Sequence, residues 1–212
     1  MNVYFISGLG ADKRAFSFLD LSFCDPVFIE WIEPSKKESL KEYAIRLRKQ
    51  IPEVDPIIVG VSFGGMLVTE IAKADQNVKG IIISSNKTKK EFPGIYRAGK
   101  YFPIYQWIPS TLLKKLLLAF RPMVSAKGID QKKIVKQIIL DSDMDFLKWA
   151  INSILHWEND QSPTNIIHIH GTADKLLPYR LVKADHTIKN GKHLMVMDEF
   201  EEMSSLLKKL IA

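Results

Sequence analysis

A short serine motif at the end of an apolar run is the feature of this sequence most suited to covalent chemistry. Residues 57–61 are rich in Val and Ile, which predicts a buried strand, and Gly60-Val61-Ser62-Phe63-Gly64 ends that run. A helical pattern of apolar residues begins directly afterwards. A strand that turns sharply into a helix at a serine exposes the hydroxyl, and glycines beside the turn avoid steric clashes. The motif therefore predicts that Ser62 is a nucleophile.

A carboxylate and an imidazole follow two other predicted strands. Asp174 comes after the run at 166–170, and His193 comes after the run at 186–188. In an open parallel sheet, the loops that follow the carboxyl ends of the strands meet at one edge. We therefore expect His193 to accept the proton of the Ser62 hydroxyl, and Asp174 to orient and stabilise the imidazole.

Two backbone amides are candidates for an oxyanion hole. Leu9 lies in the turn Ser7-Gly8-Leu9-Gly10 after the first predicted strand, and Phe63 directly follows Ser62. Amide N–H groups in these positions can donate to the negative oxygen of a tetrahedral intermediate. We expect the N–H groups of Leu9 and Phe63 to do so.

Each candidate also has a purely structural interpretation. Ser62 can occupy a tight turn, and Asp174 can be the N-cap of a helix over residues 175–181. His168 and His170 alternate along a predicted strand. This spacing favours packing or hydrogen bonding over a metal site, because no further carboxylate or cysteine completes a coordination sphere. We expect neither a metal nor a cofactor.

Six apolar runs predict the strands that position these residues. Their Val- and Ile-rich composition, with little alternation, is typical of a sheet covered on both faces. Helical patterns fall between the runs, which indicates a parallel sheet with right-handed crossovers. The predicted strands span residues 3–7, 27–32, 57–61, 78–84, 166–170 and 186–188, and the main predicted helices span residues 39–50, 65–75 and 199–210.

Taken together, these motifs resemble those of the α/β-hydrolase superfamily, in which the serine, the acid and the histidine follow in this order along the chain. The segment His170–Pro178, which reads His-Gly-x-x-Asp-x-x-x-Pro, is far more specific than the serine motif. The resemblance implies an α/β fold with six mostly parallel strands in the order 2-1-3-4-5-6 and helices on both faces. One departure is Ser7-Gly8, where the family usually has His-Gly.

One long stretch between the fourth and fifth predicted strands has no strand pattern. Residues 86–162, here called the cap segment, include amphipathic stretches at 112–120 and 134–140. A structureless loop of that length is uncommon in a compact domain. We predict that residues 1–85 and 163–212 form the hydrolase core and that the cap segment forms an inserted helical cap.

The cap segment is basic and aromatic. Between residues 86 and 136, twelve Lys or Arg accompany two acids, a local charge of +10 in a chain of net charge +6. A solvated helical surface explains this charge, and so does attraction to an anionic substrate or membrane surface. Aromatic residues of the segment either line an apolar acyl pocket or form the cap's own core. They are Tyr101, Phe102, Tyr105, Trp107 and Trp157.

Composition sets the remaining expectations. With 212 residues, 46% hydrophobic and 25% charged, the chain is typical of a soluble globular domain. Cys24 is the single cysteine, which excludes an intramolecular disulfide. We find neither a secretion signal nor an apolar run of membrane-spanning length, so we expect a cytoplasmic protein without stable membrane insertion. No nucleic-acid-binding motif accompanies the basic charge, so we expect no nucleic-acid partner.

We therefore expect a serine hydrolase that cleaves a small carboxylic ester or thioester, anionic or apolar, through an acyl-enzyme. Two alternatives use the same scaffold. One is a lyase or acyltransferase with the same three residues, and the other is a ligand-binding homologue without catalysis.

Overall fold

A computed structural model describes residues 1–101, 103–124 and 127–212, with a parallel sheet at its centre. The six strands lie in the order β2-β1-β3-β4-β5-β6, and every neighbouring pair is parallel. The predicted strand order is therefore confirmed. The strands are β1 (Asn2–Ile6), β2 (Asp25–Phe28), β3 (Ile57–Val61), β4 (Lys79–Ile83), β5 (Ile166–Gly171) and β6 (His186–Ile188).

The helices of the core follow the predicted segments closely. Ser39 caps the first of them, and its side chain and that of Glu42 form a capping box. In the described part of the chain, no helix is long and apolar enough to cross a membrane. The helices are α1 (Leu40–Arg48), α2 (Phe63–Ala74), α3 (Gly94–Gly99), α4 (Ser110–Val124), α5 (Ile129–Asp141), α6 (Met144–Leu155), α7 (Met195–Asp198) and α8 (Phe200–Ile211).

Helices cover both faces of the sheet because the inner strands carry apolar side chains on both faces. In β1, Tyr4 and Ile6 pack into the cluster that contains residues of α1 and α2. Val3 and Phe5 point the other way and pack with residues of α7 and α8. The sheet is thus buried on both faces, and its strand ends are held rigidly.

The second strand ends earlier than its apolar pattern predicts. The prediction was residues 27–32, whereas β2 ends at Phe28 and includes Pro26. A proline is tolerated there because β2 is an edge strand. Beyond the strand, the chain turns so that the Trp31 ring packs against Phe63, with ring centroids 5.8 Å apart.

Helices α3 to α6 belong to the cap segment, and α6 joins that segment to the core. Trp149 of α6 packs on Tyr43 of α1 with ring centroids 4.5 Å apart, and Phe146 packs on Phe63 of α2. Leu113 of α4 packs in turn against Leu147 of α6. The described residues of the segment contain no strand. The division into core and cap domains stays a prediction.

Candidate active site

Ser62 sits at the junction of β3 and α2 with a strained backbone. Its φ of 53° and ψ of −116° lie in a region that non-glycine residues rarely adopt, at a cost of about 1–3 kcal/mol. Neighbouring strands hold this conformation in place. The Ser62 N–H donates to the Ile83 carbonyl at 2.9 Å, and the Ser62 carbonyl accepts from the Ser85 hydroxyl at 2.7 Å. Such a sharp turn from strand to helix exposes the serine hydroxyl at the edge of the sheet.

The glycines around Ser62 are required by close backbone contacts. A Cβ on Gly64 would lie 2.4 Å from the carbonyl oxygens of Ile6 and Ser7, and one on Gly60 would lie 2.5 Å from the Gly64 oxygen. Real Cβ atoms essentially never approach backbone this closely. The glycines therefore let α2 start directly against the end of β1.

A chain of two hydrogen bonds joins the three candidate catalytic side chains. The Ser62 Oγ lies 2.9 Å from His193 Nε2, and His193 Nδ1 lies 2.8 Å from Asp174 Oδ2. Because a carboxylate can only accept, His193 Nδ1 carries the proton, and Nε2 presents its lone pair to the Ser62 hydroxyl. His193 is 4% exposed and Asp174 is 5% exposed, so little water competes for these bonds.

The Asp174 carboxylate is held on both oxygens. Its Oδ1 accepts from the backbone N–H groups of Leu176 and Leu177, each at 2.9 Å, while Oδ2 faces His193. Burial alone would raise the pKa of this carboxyl. The hydrogen bond and the electrostatic attraction from His193, with the Leu177 N–H, outweigh burial and place the pKa below its ordinary value. Asp174 therefore stays ionised beside His193.

The two interpretations of Asp174 thus turn out to be compatible, because one oxygen caps a turn while the other faces the imidazole. The helix over residues 175–181 is absent. Only a 3-10 turn forms, at Tyr179–Leu181.

The loops that carry Asp174 and His193 are locked together. A Cβ on Gly171 would lie 2.2 Å from the Gly191 carbonyl oxygen. The Ala173 N–H donates to that same oxygen at 2.9 Å, and the Thr172 N–H donates to the Ile188 carbonyl at 3.0 Å. The distance between the acid and the base is consequently set by backbone contacts between β5 and β6.

The two predicted oxyanion-hole amides lie beside Ser62. A Cβ on Gly8 would be 3.5 Å from the Ser62 Cβ, so the loop that carries Leu9 passes directly by the nucleophile. Phe63 is the first residue of α2, whose N–H has no carbonyl one turn earlier to bond with. Among the described residues, neither amide donates a hydrogen bond to another group. The Ser7 hydroxyl donates to the Ala11 carbonyl at 2.8 Å and steadies this loop.

Comparisons with known proteins agree with this architecture. No protein-family model matches the sequence, and no curated protein matches it significantly. A thermophilic esterase from Thermogutta terrifontis superposes with a TM-score of 0.75 at 12% identity, over 100% of this chain and 89% of the other. An esterase from Exiguobacterium antarcticum gives 0.75 at 13% identity, over 99% and 91%. A protein described as an aryl esterase from Burkholderia cenocepacia gives 0.72 at 14% identity, over 99% and 89%.

The chain has the α/β-hydrolase fold. In this fold, Ser62 follows β3, Asp174 follows β5 and His193 follows β6, as the motif order predicted. The catalytic role of the three residues is a separate matter, because similarity at these identities establishes the fold alone.

A buried histidine pair stands behind Asp174 in this α/β-hydrolase fold. His170 Nε2 donates to the Leu177 carbonyl at 2.8 Å, so its Nδ1 accepts from His168 Nε2 at 3.0 Å. Burial lowers the pKa of both imidazoles, most strongly that of His168. The alternation along β5 predicted packing or hydrogen bonding. That the two rings bond each other required the structure.

The four aromatic residues predicted to line an acyl pocket lie in different environments. Trp157 is buried and donates to Glu70 Oε1 at 2.7 Å, and the Tyr105 hydroxyl donates to Asn152. Tyr101 is 76% exposed and Trp107 is 78% exposed. The structure does not bring these side chains together around Ser62, and their role in binding substrate stays a prediction. Phe102 lies outside the described residues.

The cap residues that share an apolar cluster with Leu9 come from α4, among them Leu113 and Leu117, and from helix α6. Leu147 and Ile151 of that helix join Leu9 in one apolar cluster, beside the predicted oxyanion hole. Their spacing of four residues along an amphipathic helix is the signal that could have identified them. The sequence analysis weighed only the aromatic residues and missed these two.

A cleft of about 660 Å³ lies next to the loop that carries Leu9. Gly10 and Ala11 of that loop line it, together with Trp31, Phe146 and Trp149. Ser62 is not among its lining residues. The rings of Trp31 and Phe146, which line the cleft, contact the ring of Phe63, the residue after the candidate nucleophile.

Proposed function

We propose that this protein is a serine hydrolase that cleaves carboxylic esters or thioesters through an acyl-enzyme. The observation that carries the proposal is the hydrogen-bond chain from the Ser62 hydroxyl through His193 to the buried carboxylate of Asp174. The strained backbone of Ser62 supports it, because such strain is typical of functional sites. The likeness in fold to proteins described as esterases supports it as well.

In the first half of the reaction, the Ser62 oxygen attacks the carbonyl carbon of the substrate while its proton moves to His193 Nε2. The imidazolium that forms lies against the ionised Asp174, which stabilises it. The carbonyl electrons move to oxygen, and the Leu9 and Phe63 N–H groups donate to this oxyanion. The positive end of the α2 dipole lies on the same side.

The tetrahedral intermediate then collapses, and His193 returns its proton to the leaving alcohol or thiol. A water molecule repeats the sequence on the acyl-enzyme. His193 takes one of its protons, the carbonyl carbon gains the hydroxyl, and the Ser62 oxygen leaves with the proton from His193. The net result is one ester bond hydrolysed. These steps require only the residues described above.

A serine-directed fluorophosphonate probe tests the nucleophile. We expect it to label the wild-type protein and the Ser205→Ala control, since Ser205 is exposed on α8, and to leave Ser62→Ala unlabelled. A panel of p-nitrophenyl esters of graded acyl length then identifies the preferred acyl group. Absence of labelling together with tight binding of an apolar ligand would instead indicate a non-catalytic binding protein. Labelling followed by acyl transfer to a nucleophile other than water would indicate an acyltransferase.

A further inference from the structure

The cap segment exposes several large apolar side chains within a short stretch of sequence. We call these five residues the cap outer surface. They are between 47% and 78% exposed, and they lie within 20 residues of one another along the chain. The five are Tyr101, Ile104, Trp107, Leu112 and Phe120.

The packing of the cap does not account for this exposure. Around the turn at Ile104–Gln106, Tyr105 and Gln106 anchor to α6 through hydrogen bonds to Asn152. In α4, Leu113 is buried against α6, whereas Leu112 and Phe120 point to solvent. The cap outer surface is therefore free to contact something else.

The stretch of chain that carries these residues is rich in basic residues. Residues 92–129 contain six basic residues and no acidic residue, a net charge of +6 for the stretch. Some of this charge is paired at the margins, where Lys100 bonds to Glu158 and Lys127 to Glu199. Lys114 bonds to the Leu140 carbonyl. Lys115 is exposed on α4, between Leu112 and Phe120.

The combination of exposed apolar side chains and basic residues favours one kind of partner. A second copy of the chain would bring two positively charged stretches together, which is unfavourable. A nucleic acid offers phosphates and bases, but no hydrocarbon in which Ile104 and Leu112 could be buried. A bilayer with anionic headgroups offers both, because lysines are drawn to the headgroups while Trp, Tyr and Phe side chains insert at the interface.

We propose that the cap outer surface docks this protein onto the surface of a bilayer that contains anionic lipids. The contact is peripheral: apolar side chains enter the headgroup region while the α/β core stays in water.

Cosedimentation with vesicles tests the proposal. We expect the protein to bind vesicles of phosphatidylcholine mixed with phosphatidylglycerol, to bind phosphatidylcholine vesicles much more weakly, and to dissociate as salt rises. Ser62→Ala should bind like the wild type. Binding is therefore measured without turnover, and its failure is distinguishable from failure of the proposed hydrolase activity.

Two variants with matched controls locate the contact. Trp107→Ser with Phe120→Ser should weaken binding to the anionic vesicles by about tenfold or more, while Val54→Ser, 71% exposed outside the cap, should bind like the wild type. Lys115→Glu should weaken binding by about fivefold or more, and Lys209→Glu on α8 should have a much smaller effect.

Four results would overturn the proposal. They are no binding to either vesicle, equal binding by the double serine variant, a dimer in analytical ultracentrifugation that the double variant abolishes, and tight binding to a single-stranded oligonucleotide that the same variant abolishes.

Discussion

At the edge of the sheet, His193 and Asp174 are polar, buried and hydrogen-bonded to each other, whereas on the cap outer surface Trp107 and Phe120 are apolar and exposed. Burying an ionised carboxylate is costly unless hydrogen bonds compensate it, and Asp174 accepts three. An exposed aromatic ring carries no such geometric constraint. We therefore expect a single substitution at the edge of the sheet to lower activity or stability strongly, and one on the cap outer surface to change either very little.

The largest effect is expected from removing the nucleophile and the base. Ser62→Ala and His193→Ala should each lower kcat on a p-nitrophenyl ester by about 10⁴-fold or more, and the double variant should lose little beyond that, because the two side chains act as one unit. Steady-state kinetics of the three variants measure this. Additive losses would mean that the two residues act independently.

A smaller loss is expected from Asp174→Asn. The Asn oxygen can keep the two backbone N–H bonds at the Oδ1 position, which turns the NH₂ group toward His193 Nδ1. His193 Nδ1 must then accept a hydrogen bond from that NH₂ group, so His193 Nε2 carries the ring proton. Nε2 therefore cannot take the proton of the Ser62 hydroxyl. We expect kcat to fall by about 10³-fold with little change in fold, as measured by kinetics and circular dichroism. Wild-type kcat in this variant would exclude Asp174 from the mechanism.

Substitutions at Gly171 and Gly99 test how well the core and the cap segment each tolerate an added Cβ atom. The Cβ of Gly171→Ala would meet the Gly191 oxygen at 2.2 Å, whereas that of Gly99→Ala would meet a flexible Leu155 methyl at 3.2 Å. We expect Gly171→Ala to lower the free energy of unfolding by about 3 kcal/mol or more and Gly99→Ala to change it by less than about 1 kcal/mol. Urea unfolding measures both. Equal effects would remove the contrast between the regions.

The buried His168 should make the free energy of unfolding depend on pH. His168 is buried with a lowered pKa, so it stays neutral in the folded protein while the unfolded chain takes up a proton below about pH 6.5. The unfolded state then binds more protons, and stability falls as pH drops, by about 1.4 kcal/mol per pH unit for such a histidine.

Unfolding in urea at pH 7 and pH 5 measures this dependence. His168→Gln should reduce the loss of stability between the two pH values, whatever its effect at pH 7. His156→Gln, at an exposed position in the cap, should leave the loss unchanged. An unchanged pH dependence in His168→Gln would contradict the neutral buried state.

The smallest effect is expected on the cap outer surface. Trp107→Ser with Phe120→Ser should leave kcat/KM for a short, water-soluble ester within about twofold, and each change should alter the free energy of unfolding by about 0.5 kcal/mol or less. Ester hydrolysis in the absence of lipid measures the first quantity. A large loss would show that these side chains support the site itself.

The sequence predicted those parts of the molecule that local backbone rules determine. The meeting of Ser62, Asp174 and His193 follows from apolar runs, sharp turns and the way parallel strands align their carboxyl ends. The strand order was implied by the resemblance to the α/β-hydrolase superfamily. The glycines that permit the turn at Ser62 were visible as a motif.

The sequence did not predict properties that depend on which side of a helix faces the core. The aromatic residues of the cap segment fitted a pocket and a packed core equally well, and the structure leaves Trp107 in solvent and buries Trp157 against Glu70. Similarly, β2 ends at Phe28, and the chain beyond it packs Trp31 against Phe63. Such choices come from contacts between distant segments, which a local pattern does not contain.

The interlocked glycines at positions 171 and 191 have a consequence for the evolvability of this scaffold. These glycines and the hydrogen bonds around them join the loops that carry Asp174 and His193, so the helices of the cap segment can be lengthened or exchanged without resetting the spacing of these two side chains. Mutations in the cap segment can then accumulate while that spacing is inherited unchanged. A laboratory library that randomises α4 and α6 but spares both glycines would draw on that separation.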